Sequence, residues 1–163
     1  MNDVNVRAWQ PEDVPAMREI WNEVVRAGAA FPQEDELTKT QAADFFAEQS
    51  ACGVAEGENG ELAGLYILHP NNVGRCGHIC NASYAVKSSL RGQKTGEKLV
   101  RHSMETAKRL GFRILQFNAV VEENTPARRM YEKLGFVQLG TIPGGFRAAD
   151  GSYKAICPYY IAL

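Results

Sequence analysis

No stretch of the chain approaches the ~18 consecutive apolar residues of a membrane-spanning helix, and the opening Met-Asn-Asp-Val-Asn-Val-Arg has no apolar signal core. A cytoplasmic protein without a membrane partner is expected. Strong charge of either sign is also missing. With 18 Lys and Arg against 19 Asp and Glu the net charge is −1, which gives no global field to gather a polyanion, so nucleic acid is not an expected partner. Cysteine is sparse and scattered (Cys52, Cys76, Cys80, Cys157), which suits buried thiols in a reducing compartment rather than a disulfide framework. Cys76, His78 and Cys80 would share one face of a strand, but no second Cys/His cluster completes a tetrahedral shell, and no metal is expected. Two nucleotide signatures are absent as well. Gly92 and Gly96 are one residue too close for a triphosphate-binding P-loop, and Glu97 stands where its lysine belongs. The dinucleotide pattern Gly-x-Gly-x-x-Gly is missing, and the element order is not a repeated βαβ unit.

The 163 residues suit a single domain, 1–163, that buries roughly two thirds of the surface its unfolded form would expose. Val4 to Ala8 alternates as a strand, and Pro11, Glu12 and Asp13 open a helix whose apolar residues Val14, Met17, Ile20, Trp21, Val24 and Val25 recur at helical spacing up to Gly28. Ala29 to Leu37 is an aperiodic loop holding Pro32 and the acids Glu34, Asp35 and Glu36. Thr38 and Gln41 form a capping box for a second helix through Ala42, Phe45, Phe46 and Gln49. Gly53–Glu56 and Glu61–Leu68 read as a hairpin, and Gly77–Val86 as a long strand carrying Asn81 and Tyr84.

Leu99, Val100, Ser103, Met104, Ala107 and Leu110 mark a third helix from Gly96, and Ile114–Val121 reads as a central strand. A fourth helix begins at Pro126 and stops at Leu134-Gly-Phe136. Two strands, Val137–Ile142 and Tyr153–Leu163, close the chain through Gly144-Gly145 and Asp150-Gly151. This order, with runs of strands before the first crossover helix, predicts a mixed α/β sheet of about seven strands with helices on both faces.

Leu90 to Gly96 lies between a strand and a helix, where unpartnered backbone N–H groups and the helix dipole favour an anion such as a pyrophosphate. Glycines at 92 and 96 permit close backbone approach. Downstream, Asn124-Thr-Pro-Ala-Arg-Arg-Met-Tyr131 places Asn124 and Tyr131 seven residues apart, two helical turns, so both can face one ligand.

Together these segments resemble the GNAT superfamily of acetyl-CoA-dependent N-acetyltransferases over essentially the whole chain. Its pyrophosphate loop corresponds to Arg91-Gly92-Gln93-Lys94-Thr95-Gly96, with Lys94 at the usual inner glycine. The resemblance implies a mostly antiparallel sheet splayed between strands four and five. It also implies that backbone groups of Tyr84, Ala85 and Val86 pair with pantetheine and polarise the thioester carbonyl, that Asn124 bonds the pantetheine arm, and that Tyr131 protonates the leaving thiolate. The amine attacks acetyl-CoA directly, with no acyl-enzyme.

Three further segments, His78–Val86, Phe112–Val121 and Leu134–Phe146, resemble the fungal proline-analogue (azetidine-2-carboxylate) N-acetyltransferases. That likeness places Asn81 and Asn118 on the small-molecule acceptor, where an amide can donate to a carboxylate without burying a full charge. No residue stands out as the base. Glu34, Asp35, Glu36, Glu122, Glu123, His78 and a water chain are the candidates. A non-catalytic acyl-CoA-binding regulatory domain and a protein or peptide N-acetyltransferase are the competing readings, and the family often forms homodimers.

Overall fold

The computed structural model describes residues 3–91 and 94–163. Within them the chain runs β1 (Val4–Ala8), α1 (Val14–Ala27), α2 (Lys39–Ala47), β2 (Ala51–Gly57), β3 (Leu62–Pro70), β4 (Ile79–Val86), α3 (Thr95–Arg109), β5 (Ile114–Val121), α4 (Thr125–Lys133), β6 (Val137–Gln138), β7 (Ile142–Arg147) and β8 (Tyr153–Ala162). The eight strands make one sheet in the order β1-β2-β3-β4-β5-β8-β6, with β7 also on β8. Every pairing is antiparallel except β4 with β5.

Local chemistry explains the helices nearest the site. A 3₁₀ turn at Pro11–Asp13 leads into α1, with the Gln10 backbone N–H donating to the Asp13 carboxylate at 2.8 Å. The buried stripe Met17, Ile20, Trp21, Val24 and Val25 then packs on the sheet. Gly28 ends the helix at φ +64°, its N–H returned to the carbonyls of Val24 and Val25. A Cβ there would lie 2.6 Å from that of Ala149, so both the left-handed turn and the close neighbour require glycine. The capping box expected at Thr38 and Gln41 is present in both directions.

The sheet has two differently dressed faces. Leu65, Ile67 and Ala85 look towards α1 and α2, whereas Tyr66, Cys80, Ala82, Leu115, Phe117 and Tyr159 look towards α3 and α4. Between β4 and β5 the ladder is short: only Ile79 pairs with Ile114 and Cys80 with Leu115. Past that point the Asn81 amide donates to the Gln116 carbonyl at 2.9 Å, and the strands part. The expected opening between the fourth and fifth strands is therefore present.

Two expectations need correction. The strand expected over Val137–Ile142 is broken: the Gln138 amide donates to the Gly140 carbonyl and the Thr141 hydroxyl at 3.0 and 3.1 Å, and the chain turns before resuming as β7. This makes eight strands, with Gly144 and Gly145 inside β7 rather than in a connection. Gly145 lies so close to β8 that a Cβ would meet Ile156 at 2.6 Å, and the register shifts there. The face expected to carry Cys76, His78 and Cys80 does not form, because Gly74–Cys76 is a 3₁₀ turn and β4 starts at Ile79.

Candidate active site

Where β4 and β5 part, a cleft of about 340 Å³ opens, walled by β3, β4, β5, the loop after β5, α4 with its cap Asn124, and the loop at Ala30–Gln33. The ladder register decides which backbone groups face it. The Lys87 N–H donates to the Ala63 carbonyl at 2.8 Å, so by antiparallel alternation Ala85 turns its polar groups to β3, while Tyr84 and Val86 turn theirs to the gap. Of the three residues expected to offer backbone there, two are placed to do so. Ala85 is buried against the α1 side.

Tyr131 and Asn124 both reach the cleft from α4. The Asn124 carboxamide oxygen caps the helix by accepting the Ala127 N–H at 3.4 Å, which leaves its NH₂ group for a ligand. Tyr131 is 9% exposed, packed on Phe117 with ring centroids 4.5 Å apart, and its hydroxyl has no hydrogen-bond partner among the described residues. Burial, with the neighbouring Tyr159 as a lesser cause, pushes its pKa well above the usual phenol range, so it holds its proton throughout neutral pH. The helix that carries it is fastened by Arg128, which donates to the Tyr159 hydroxyl at 3.0 Å and to the Glu122 carbonyl at 3.1 Å.

Asn81 and Asn118 line the same cleft. Asn81 spends one N–H on Gln116 and keeps its carboxamide oxygen. Asn118 sits at the irregularity in β5 where Phe117 pairs with Tyr159 but Val120 pairs with Cys157, one extra residue that re-aims the strand. Its amide exchanges hydrogen bonds with Asn71 at 2.7 and 3.2 Å and accepts from Gln116 at 3.1 Å.

At the entry to α3, Arg91 and Lys94 are exposed, Gly96 is half-buried and Thr95 is buried. Gly92 and Gln93 lie outside the described residues. Lys94 adopts φ +60°, the left-handed conformation that glycine takes most easily. The Thr95 hydroxyl is buried with no partner among the described residues. An orphaned hydroxyl at a helix N-terminus, together with unpaired strand backbone in the adjoining gap, fits the phosphates and the amide-bearing arm of a coenzyme A.

The expected base candidates lie elsewhere. Glu34, Asp35 and Glu36 line a separate cavity, with Glu34 paired to Arg147 and Glu36 to Arg26 at 3.6 Å. Glu123 is engaged with Lys154 at 3.2 Å. Glu122 and His78 are exposed and do not line the cleft. His69, which the sequence did not single out, does line it. Cys52 and Cys80 have thiols pushed up by burial to about 12 and about 11, which makes them poor nucleophiles. Among the described residues no group of three or more His, Cys, Asp or Glu is placed to hold a metal ion, and no helix is long and apolar enough to cross a membrane.

Comparison with known proteins places the chain among acetyltransferases. The chain is 30% identical to the N-acetyltransferase aca1 of Schizosaccharomyces pombe over 157 residues, covering 85% of this chain and 75% of that protein. It superposes on a GCN5-related N-acetyltransferase from Kribbella flavida with a TM-score of 0.90 and 33% identity, covering 98% of each chain. The fold also matches yncA, a putative acetyltransferase from Salmonella typhimurium described with its cofactor acetyl-CoA, with a TM-score of 0.90, 19% identity and coverage of 99% and 94%. The sequence pattern of the Acetyltransferase (GNAT) family matches residues 14–136. The chain belongs to this family of acetyl-CoA-dependent acetyltransferases.

Proposed function

We propose that the chain transfers acetyl from acetyl-CoA directly to the nitrogen of a small amine, an amino acid or cyclic imino acid, held in the cleft between β4 and β5. One observation carries this reading: the free Tyr131 hydroxyl and the amides of Asn81 and Asn118 open into one cleft with no Asp, Glu, Lys or Arg in its wall among the described residues. An uncharged amide lining suits a small zwitterion, whose carboxylate takes N–H donors while its ammonium meets no fixed cation.

In this reading Arg91, Gly92, Gln93, Lys94, Thr95 and Gly96 cradle the pyrophosphate. Asn124 and the backbone of Tyr84 and Val86 hold the pantetheine arm, and Asn81 and Asn118 orient the acceptor. Tyr131 gives its proton to the departing sulfur; its raised pKa keeps that proton available at neutral pH. Acetyl-CoA supplies the activated acyl group. Four free cysteines suit a reducing cytoplasm.

A thiol-release screen with acetyl-CoA against amino acids, imino acids, polyamines and peptides tests the reading. Turnover is expected with a small amino or imino acid, and Y131F should lower kcat by about 10²-fold or more with little change in KM. Preference for peptides, or binding of acetyl-CoA without turnover of any amine, would replace the reading with one of its competitors.

A further inference from the structure

We propose that His69 is the general base of the acetyl transfer, the group that takes the proton from the acceptor nitrogen. The inference rests on the amine-acceptor reading above and adds the base that reading lacks. His69 lies near the end of β3, opposite Asn81 on β4, and its side chain lines the cleft. Its Nδ1 is 3.1 Å from the Pro70 carbonyl oxygen. A carbonyl can only accept, so Nδ1 carries the hydrogen and the neutral ring keeps its lone pair on Nε2. The backbone bond thus selects the tautomer a base needs.

Strand alternation sets the side from which this lone pair acts. Leu65 and Ile67 face α1 and α2, and His69 follows them at the next odd position, as Asn81 follows from Ala85 and Ser83 on β4. Tyr131 is packed with Phe117 in the opposite layer. Base and acid therefore stand on opposite faces of the sheet with the gap between them, so that one can reach the arriving nitrogen while the other reaches the sulfur of the thioester.

Among the described residues no other group in the wall competes for the role. Tyr84 is held by Ser103 at 2.7 Å on the α3 side; because the Ser103 hydroxyl donates to the Val100 carbonyl, Tyr84 is the donor in that pair. The charged groups of the surrounding elements supply no side chain to the cleft: Asp44 and Glu48 from α2 and Arg75 before β4 are absent from it, as are the acids after α1 and β5.

The step balances as follows. His69 Nε2 takes one proton from the acceptor's ammonium and frees its lone pair. The C–N bond forms at the thioester carbonyl and the C–S bond breaks. Tyr131 protonates the leaving sulfur and recovers a proton from the nitrogen that becomes the amide. The imidazolium then releases its proton to solvent.

The test compares the full-length protein with H69Q and H69A. Both are expected to keep the wild-type unfolding temperature and acetyl-CoA affinity, while kcat/KM falls by about 10²- to 10⁴-fold. The fall in wild-type kcat/KM towards acid pH should vanish in H69Q, and added imidazole should restore part of the H69A rate. An H69Q enzyme with wild-type kcat/KM and an unchanged acid limb overturns the base role alone. A wild type that acetylates no amine overturns the acceptor reading, and the base role with it.

Discussion

The arm of the sheet from β1 to β4 and the arm from β5 to β8 are built to different standards. The first is covered on both faces, by α1 and α2 on one side and α3 on the other. Trp21, 1% exposed, sits at the centre of its outer layer against Phe31, Phe45 and Phe46. The second arm has α4 over one face and leaves Val137, Leu139, Ile142 and Tyr153 at least half exposed. The arms are joined by two residue pairs of strand ladder, by the packing of Phe117 against Tyr84 and by side-chain bonds such as Asn81 to Gln116 and Asn71 to Asn118. The candidate cleft lies on this boundary, where a well-buried scaffold meets an arm that can diverge at little cost to the first.

Four substitutions test that contrast. W21A should cost the most, about 3–5 kcal/mol in urea or thermal unfolding, because a buried indole leaves a cavity that surrounding rings fill only in part; a loss below about 1 kcal/mol would remove the first arm as the main source of stability. In the second arm, Y159F takes a hydroxyl from between Arg128 at 3.0 Å and Glu132 at 3.2 Å. The expected cost is about 1.5 kcal/mol, together with a fall in kcat as α4 loosens, and equal losses for W21A and Y159F would erase the distinction. At the boundary itself, N81A removes the amide bridge to Gln116 and should cost about 1 kcal/mol. Faster amide hydrogen exchange at Ile114 and Leu115 in that variant would show the short ladder opening, and unchanged exchange would show that Asn81 does not hold it. The smallest effect is expected from K94G, a gain of about 0.5 kcal/mol as left-handed strain is relieved and offset by glycine's greater unfolded-state entropy. Weaker acetyl-CoA binding in K94G would assign the lysine charge to the phosphates.

The helices and most strands were legible because their causes are local: the stripe ending at Gly28, the Thr38–Gln41 box and Pro126 in the first turn of α4 each act within a few residues. The break after Gln138 was not, because Val137, Gln138 and Leu139 alternate as a strand does, and only the bonding of the Gln138 side chain to its own downstream backbone marks the turn. The site divides in the same way. Asn124 and Tyr131 are two helical turns apart in one segment and were read together. His69 was missed because it follows an unbroken apolar strand and acquires its surroundings only when β3, β4 and the loop after α1 close round it. The acids were proposed as bases from their nearness to expected loops, and pairing to Arg147, Arg26 and Lys154 takes several of them away.

The parting of β4 and β5 also bears on traffic. A sheet normally separates what lies on its two sides, but here the wall of one cleft is drawn from both, with His69 and Asn81 on one side and Phe117 and Tyr131 on the other. In the proposed reading, two ligands entering from opposite faces would meet in the gap without either blocking the other's way out. Such a site favours a complex in which both are present at once, with each free to exchange while its partner stays.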